Sequence, residues 1–269
     1  MTFRTIEISD SSWNADGLRF VTVKSPSLKG RVDMSVYLSE NAKGLSGLPV
    51  IVLLHGVFGS HWAWALKGGA HQVLQELMDE KTINPFVLVM PSDGLWGDGS
   101  GYVPHRLLNF DKWIGEELPA LIRQQFAEVD EDSPFYIGGL SMGGYGAFRI
   151  GLLYRKNYFG ISAHSTMTAV EQMTLFVEED WSWWPTGKDA ILDLIKNNGT
   201  PPPSIRFDCG TEDLLIAYNR ELHRQLEKLG VEHDYSEYPG GHKWAYWHEH
   251  VRKTFLFFNR LYRKKNNDQ

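Results

Sequence analysis

Cysteine is almost absent from this chain of 269 residues, since Cys209 is its single cysteine. One cysteine excludes an internal disulfide and favours a reducing compartment, so a cytoplasmic location is expected. The start of the chain, MTFRTIEISD, lacks the basic and then apolar pattern of a signal peptide. The longest apolar run, around Val50–Leu54, is far shorter than the roughly 20 residues of a membrane-spanning helix. The sequence therefore predicts a soluble protein that has no membrane partner.

Basic residues are also scarce, because 27 Lys and Arg stand against 33 Asp and Glu, for a formal net charge of −6. This balance does not favour a nucleic-acid partner, and the one basic cluster (Arg263, Lys264 and Lys265) indicates a solvated tail. No His-Glu-x-x-His motif or clustered Cys and His spacing is found, so neither a metal nor another cofactor is predicted. A small molecule is therefore the expected partner, and the oligomeric state cannot be deduced from the sequence.

Aromatic residues are abundant, at 13% of the chain with ten tryptophans. Such a content is typical of a thick core, an aromatic-lined pocket, or both. Three of these tryptophans lie in the run WSWW at 181–184, inside a stretch from about 166 to 203 that interrupts the pattern of the chain. We interpret this stretch as a cap-like helical insertion, and surface packing without a function is the alternative.

The periodicity of the rest predicts an α/β fold. Three early segments alternate apolar and polar residues, as antiparallel edge strands do, at 3–9, 18–24 and 32–38. Later apolar bursts are typical of strands covered on both faces, at 49–54, 85–90, 134–139 and 204–210. Helical spacing separates these bursts. We therefore expect one domain over residues 1–269, with a mostly parallel central sheet, antiparallel edge strands at its N-terminal side and helices on both faces.

The stretch GGLSMGGYGAF contains the pattern G-x-S-x-G around Ser141, between a strand pattern and a helix pattern. A nucleophile at such a sharp turn has a strained backbone, so small residues are needed at Gly139 and Gly143. Gly144 and Gly146 would let the following helix lie close to the sheet. The start of that helix can stabilise a developing oxyanion with backbone N–H groups.

Other uses of these glycines fit less well. A phosphate-binding loop needs a lysine after its last glycine, and Tyr145 stands where that lysine would be. No G-x-G-x-x-G pattern can be read within the stretch. Glycines that serve helix packing alone remain an alternative, because G-x-S-x-G by itself occurs by chance.

A serine nucleophile needs a histidine base and a carboxylate that orients it. His242 lies between a strand-like segment and the last helix, and Asp213 follows the strand at 204–210. The order Ser141, Asp213, His242 is the order of a triad built on an α/β-hydrolase sheet. His164, at the end of another apolar segment, is a rival base, and Glu212 could replace Asp213 as the acid.

A second oxyanion donor is expected after the first buried strand, in the sequence HGVFG. Its glycines permit an unusual backbone path, which would leave the N–H of Val57 free beside the N–H of Met142. His55 is then expected to brace this loop through hydrogen bonds. Asp208 lies within a predicted strand, where an anchoring polar residue is expected.

The motifs GLSMGGYGAF, LLHGVFG, CGTEDLL and GGHKWAYW together resemble the esterase D-like branch of the α/β-hydrolases. This branch includes tributyrin-type, feruloyl and acetylxylan esterases, S-formylglutathione hydrolases and mycolyltransferases. The resemblance spans residues 32–262 and implies an α/β-hydrolase fold. It also implies Ser141, Asp213 and His242 as the triad, with Val57 and Met142 as the backbone donors of the oxyanion hole.

Within this branch the chain is most similar to the small tributyrin or cinnamoyl-type esterases, which implies hydrolysis of short-chain acyl or aryl esters through an acyl-enzyme. HGVFGSHWAW replaces the cysteine-containing loop usual in S-formylglutathione hydrolases, which makes a glutathione thioester a weaker candidate. An acyltransferase and a non-catalytic binding protein are further alternatives. Phe58, Trp96 and Trp181 are expected to line the substrate pocket.

Overall fold

A computed structural model describes residues 3–13, 16–196 and 201–267. Its strands form one nine-stranded sheet in the order β1-β2-β3-β5-β4-β6-β7-β8-β9. The strands are β1 (Ile6–Ile8), β2 (Leu18–Ser25), β3 (Gly30–Tyr37), β4 (Val50–Leu54), β5 (Val87–Pro91), β6 (Phe135–Leu140), β7 (Tyr158–His164), β8 (Ser204–Gly210) and β9 (His233–Tyr238).

The directions of the strands agree with the predicted α/β-hydrolase fold. Strands β1, β2 and β3 pair antiparallel, and β3 also pairs antiparallel with β5. Strands β4 to β9 pair parallel with one another. The chain enters the sheet centre at β4, places β5 on one side and β6 on the other, so the strand order reverses at β4. Crevices at such a reversal, outside the carboxyl ends of the strands, are where ligands bind in open α/β sheets.

Eight α-helices lie in the described part of the chain, and α3 continues into α4 through a π-helical segment at Trp113–Glu117. They are α1 (Ala63–Leu66), α2 (Ala70–Asp79), α3 (Phe110–Lys112), α4 (Leu118–Gln125), α5 (Met142–Leu153), α6 (Ile191–Lys196), α7 (Ile216–Lys228) and α8 (Trp244–Asn267).

The core consists of two apolar clusters, one on each face of the sheet. Successive side chains of a strand point to opposite faces, so Val52 of β4 joins one cluster and Ile51 joins the other. Phe148 of α5 packs in the first cluster and Phe255 of α8 packs in the second. The expectation of helices on both faces is confirmed.

The predicted insertion at about 166–203 is only partly helical. It contains a 3₁₀ turn at Val170–Leu175 and helix α6, and most of its remaining described residues form turns and bends. Residues 197–200 of the predicted insertion lie outside the described residues. The bounds of the insertion and the count of one domain stay predictions.

No helix among the described residues is both long and apolar enough to cross a bilayer. In the same part of the chain, no three His, Cys, Asp or Glu side chains are grouped so as to hold a metal ion.

A buried polar network lies beneath the carboxyl ends of β7 and β8. Asp208 is fully buried, forms an ion pair with Arg206, and lies 3.0 Å from Nδ1 of His164. Its carboxylate also accepts a hydrogen bond from the Tyr246 hydroxyl at 2.8 Å. Nε2 of His164 is 2.8 Å from Oγ1 of Thr254. The network thus pairs every charge that it buries, as expected for Asp208 as an anchoring residue.

The environment of Asp208 couples the ionisation of its carboxyl group to the stability of the fold. Burial by itself raises the pKa of Asp208, but attraction to His164 and Arg206 and hydrogen bonds from His164 and Tyr246 hold it well below the usual range. A carboxyl with a lowered pKa stabilises the fold above its unfolded pKa of about 4, and this contribution is lost as the pH falls below that value.

Asp208→Asn is expected to lower the free energy of unfolding by about 3–5 kcal/mol, because Arg206 is then left buried without a counter-charge. Urea unfolding at pH 7 measures this change, and the variant should also lose part of the acid sensitivity of the parent protein below about pH 4. Asp234→Asn is the control, since Asp234 forms an exposed pair with Arg260. Equal, small changes in both variants would contradict a structural role for the buried network.

Candidate functional site

Ser141 lies at the turn between β6 and α5 in a strained backbone conformation, with φ 54° and ψ −120°. For a residue with a side chain, this conformation costs about 1–3 kcal/mol and persists only where the surroundings enforce it. The N–H of Ser141 donates to the carbonyl of His164 at 3.0 Å, and its own carbonyl accepts from Tyr145 at 3.2 Å and Met167 at 3.3 Å. These bonds fix the turn to the end of β7, to the loop that follows β7 and to the first turn of α5.

Glycines allow the backbone to crowd around this turn. A Cβ added to Gly139 would collide with the carbonyl of Gly143. A Cβ added to Gly143 would collide with the carbonyls of Leu54 and His55, at the end of β4. The predicted need for glycine therefore has two causes: Gly139 lies against the backbone of the turn itself, and Gly143 lies against the end of β4.

The predicted role of Gly144 and Gly146 is wrong in its detail. Gly144 faces the loop after β7, and a Cβ on Gly146 would lie 2.6 Å from the ring of Tyr102, so both glycines admit loops rather than the sheet. The close approach of α5 to the sheet occurs at Gly151, where a Cβ would lie 2.5 Å from the Ile161 side chain on β7. Sequence spacing places a glycine on one face of a helix, but it does not show which segment of the protein packs against that face.

Three side chains from separate strand ends meet beside this turn. Oγ of Ser141 lies 3.0 Å from Nε2 of His242, and Nδ1 of His242 lies 3.0 Å from both carboxylate oxygens of Asp213. The structure thus brings together the three residues that the sequence proposed. With a proton on Nδ1 bound to Asp213, Nε2 is left as an acceptor for the serine hydroxyl.

The ends of β8 and β9 are tied so that Asp213, and not Glu212, faces the histidine. The N–H of Thr211 donates to the carbonyl of Tyr238 at 2.8 Å, and the N–H of Glu212 donates to the carbonyl of Gly240 at 2.9 Å. The Glu212 side chain is exposed, whereas Asp213 is buried. The alternative acid is therefore turned to solvent.

Asp213 is kept ionised by its surroundings. Burial favours its neutral form, but the hydrogen bonds and the charge of His242, the Leu215 N–H and the Ser165 hydroxyl together lower its pKa below the usual value. The N–H of Leu215 lies 2.8 Å from the carboxylate. Ser165 Oγ also accepts a hydrogen bond from the Trp247 indole at 3.2 Å. A carboxylate held in this way can orient a histidine and stabilise its positive charge.

The rival base, His164, is not available at the surface of the site. Its side chain is fully buried and both ring nitrogens are engaged, by Asp208 and by Thr254. Only its backbone carbonyl contacts Ser141. The sequence favoured His242 only by its order in the chain, because both histidines lie at or after the carboxyl end of a strand, at the same edge of the sheet.

Aromatic rings fix the plane of the His242 imidazole. Phe176, from the predicted insertion, stacks on it with ring centroids 5.3 Å apart and planes at 29°. Trp247 of α8 meets the ring edge-on at 5.0 Å and 88°. The histidine is thus held between two aromatic side chains while its nitrogens align with Ser141 and Asp213.

The loop after β4 lies against Ser141 and carries free backbone donors. A Cβ on Gly56 would lie 3.3 Å from Cβ of Ser141. Within residues 3–13, 16–196 and 201–267, no acceptor is paired with the N–H of Val57 or of Met142. The N–H of Phe58, by contrast, donates to the carbonyl of Asp98 at 2.7 Å. These two unpaired N–H groups are the ones that the sequence proposed for an oxyanion hole.

His55 braces this loop from below, as the sequence suggested. It is buried, its Nδ1 lies 2.7 Å from the carbonyl of Gly56, and its Nε2 accepts from the N–H of Asp93 at 3.2 Å. These contacts fit a neutral ring with its proton on Nδ1. The histidine therefore connects the loop after β4 to the loop after β5.

A cavity of about 330 Å³ opens beside Ser141. Phe58 lines it, as expected, and is 66% exposed. The other lining residues are Gly56, Val57, Gly59, Trp62, Ala63, Lys67, Leu140, Ser141, Phe176, His242, Lys243, Trp244 and Trp247. The walls are mostly apolar and the polar groups few, as in small-molecule sites.

The structure does not bring Trp96 and Trp181 to this cavity, so the prediction for these two residues is corrected. Trp96 packs on His105 with centroids 4.2 Å apart and on Trp181 at 6.1 Å. Trp181 is only 4% exposed and lies against Gly101, where a Cβ would be 2.8 Å from its ring. The Trp-rich run thus fills an aromatic cluster beside the loop after β5.

Several lining residues were missed from the sequence. Trp244 and Trp247 follow His242 with helical spacing, so they share a face of α8 and could have been found from the motif GGHKWAYW. Phe176 has no local signal, because its partner His242 lies far from it in the chain. Lys67 and Lys243 resemble ordinary surface lysines until the loops are assembled.

Known proteins resemble this chain in sequence and in structure. Residues 25–258 match the family described as Putative esterase. An acetyl esterase of Caldicellulosiruptor saccharolyticus is 29% identical over 270 residues, covering 92% of this chain and 94% of the relative. A ferulic acid esterase structure matches with a TM-score of 0.76 and 21% identity, covering 96% of this chain and 99% of the other. An S-formylglutathione hydrolase from Agrobacterium tumefaciens matches with a TM-score of 0.73 and 20% identity, covering 97% and 99%.

The two structural matches have low sequence identity, so they show the α/β-hydrolase fold alone. The family match extends over most of the chain, from before β3 into α8, and includes all three residues that meet at the turn after β6. The chain therefore belongs to the Putative esterase family and is a carboxylic ester hydrolase.

Proposed function

We propose that the protein is a serine carboxylesterase that hydrolyses small short-chain acyl or aryl esters through an acyl-enzyme. The observation that carries this proposal is the unbroken contact from Ser141 Oγ to His242 Nε2 and from His242 Nδ1 to Asp213, at 3.0 Å in each step. A cavity of about 330 Å³ lies at the lower end of the range for ligand sites, roughly 300–1,000 Å³, which suits a small ester. The acetyl esterase relative supports a short acyl group.

In the first half of the reaction, His242 accepts the hydroxyl proton of Ser141 as Oγ attacks the ester carbonyl carbon. The N–H groups of Val57 and Met142 donate to the oxyanion that forms. Asp213 stabilises the positive charge on the imidazole. The tetrahedral intermediate then collapses, and the proton on Nε2 is donated to the leaving alkoxide or phenolate, which departs as the alcohol or phenol.

In the second half, water takes the place of the alcohol. His242 accepts a proton from water as its oxygen attacks the acyl carbon, and the same two N–H groups stabilise the second oxyanion. Collapse returns the proton to Ser141 Oγ and releases the carboxylic acid. An added alcohol in place of water would give a new ester, so a product assay with sugar or alcohol acceptors distinguishes hydrolysis from acyl transfer.

Ser141→Ala and His242→Ala are each expected to lower kcat for p-nitrophenyl acetate or butyrate by about 10⁶-fold, since the members of a triad act as one unit. Asp213→Asn should lower it by about 10⁴-fold, because the histidine then takes the wrong tautomer. Initial rates and labelling by a fluorophosphonate probe measure these losses. Glu212→Gln is the matched control and should retain both rate and labelling.

Retention of parental turnover by Ser141→Ala or His242→Ala would overturn the triad assignment. Failure of the parent protein to react with the probe would instead indicate a non-catalytic binding protein on this fold. A strong preference for S-formylglutathione over oxygen esters of similar size would replace the proposed substrate class.

Phe176→Ala is expected to lower kcat about tenfold and to slow labelling of Ser141, because the imidazole loses the ring that holds its plane, and small errors in alignment are costly. Phe176→Leu should restore most of the rate, since an apolar side chain again covers the histidine. The fold is monitored by thermal unfolding. Equal kcat in the parent and in Phe176→Ala would show that the stacking does not position the base.

A further inference from the structure

The charges that line the cavity beside Ser141 are all of one sign. Lys67 and Lys243 lie on its wall, and of the described residues that line it, none is Asp or Glu. The chain as a whole carries 33 acidic against 27 basic residues. An apolar cavity with two ammonium groups and no carboxylate is therefore unlike the average surface of this protein.

Neither lysine is neutralised by another of the described residues. In the part of the chain that the structure describes, no carboxylate lies within ion-pair distance of the ammonium of Lys67 or of Lys243. Nζ of Lys67 lies 5.6 Å from the centre of the Trp244 ring, so its stem is directed along an aromatic wall of the cavity. Both lysines are exposed and can reach a ligand from solvent.

The position of Lys243 does not favour the helix that it precedes. α8 begins at Trp244, runs for 24 residues and has no acidic residue in its first turn. Backbone N–H groups give a helix N-terminus partial positive charge, so a cation next to it is destabilising. The N–H of Lys243 donates to Gly241 at 2.8 Å and its carbonyl accepts from Tyr246 at 3.0 Å, which fixes the residue there. A bound anion would relieve this local excess of positive charge.

The remaining walls are suited to the body of an ester. Aromatic side chains surround the space between Ser141 and the lysines, from the loop after β4, the predicted insertion and α8 (Phe58, Trp62, Phe176, Trp244 and Trp247). Apolar and aryl groups gain most from such walls. Lys67 is also shared with a larger open groove that continues past Trp244, so a ligand that reaches this lysine is not confined by the small cavity.

We infer that the site prefers anionic esters, in which a short apolar or aryl body links the scissile ester to a carboxylate that binds Lys67 and Lys243. This inference rests on the proposed function of Ser141 and concerns only which ester is bound. The carboxylate can belong to the acyl part, as in a monoester of a dicarboxylic acid, or to the alcohol part, as in an ester of a hydroxybenzoate. Lysine supplies a compact charge for such a group.

The test compares matched anionic and neutral esters at the same site. For the acyl side, kcat/KM is measured for p-nitrophenyl monosuccinate and p-nitrophenyl butyrate, with the uncatalysed rates subtracted. For the alcohol side, it is measured for 4-acetoxybenzoate and its methyl ester. The ratio of anionic to neutral kcat/KM is the readout, and the pair that shows the larger ratio identifies the side that carries the carboxylate.

In the parent protein at low ionic strength, one of the two ratios should exceed one. Lys67→Gln or Lys243→Gln should lower that ratio about threefold and the double variant about tenfold, in line with exposed charge pairs. The double charge reversal Lys67→Glu with Lys243→Glu should bring it below one. Added salt should also lower the ratio in the parent protein, because exposed charges are screened. The control is the double variant Lys24→Gln with Lys156→Gln. It removes two positive charges that lie outside the cavity, and it should leave the ratio unchanged.

Ratios that are the same in the parent protein and in the charge-reversed variant, for both ester pairs, would overturn the inference. The fluorophosphonate probe keeps this outcome separate from failure of the proposed function. Labelling of Ser141 with neutral-ester hydrolysis but no charge preference rejects the anionic substrate alone. Loss of labelling in the parent protein rejects the serine esterase itself.

Discussion

The arrangement of the site depends on one strained backbone, that of Ser141, which is held between β6 and α5 with φ at 54°. Two contacts make this conformation possible: its N–H bonds to the end of β7, and Gly143 lies directly on the carbonyls at the end of β4. The same contacts place the loop after β4 beside the serine, with the N–H of Val57 unpaired. The strain at Ser141 is thus sustained by the ends of β4 and β7, and such strain is typical of functional sites.

Two histidine–aspartate pairs lie at this edge of the sheet, and their surroundings separate their roles. His164 and Asp208 are fully buried, and Arg206 supplies a permanent counter-charge to the carboxylate. His242 and Asp213 make a similar contact, but the His242 side chain is 14% exposed and its second nitrogen faces Ser141. In the first pair both imidazole nitrogens are engaged inside the protein and closed to solvent, which suits a structural role. In the second pair one nitrogen faces the cavity, which the proposed role of His242 as a general base requires.

The predicted insertion and α8 complete the site from opposite sides of the histidine. Phe176 and Trp247 hold the imidazole plane, while Trp244 and the two lysines form the outer wall of the cavity. The walls of this cavity are mostly apolar, as in small-molecule sites. The Trp-rich run supports the loop after β5 instead, through the cluster of Trp96, His105 and Trp181.

Much of this protein is determined by local sequence. The apolar bursts predicted β8 with the bounds that the structure has, and the glycine pattern around Ser141 with the order of Asp213 and His242 predicted which side chains meet. These features follow from backbone sterics and strand periodicity, which act within a few residues. Only the tertiary structure excluded His164 as the base and Glu212 as the acid, which the sequence had left as alternatives, and placed Trp181 away from the cavity. It also brought Phe176 and the lysines to the site, because those contacts join segments far apart in the chain, and burial and charge pairing are properties of the assembled packing.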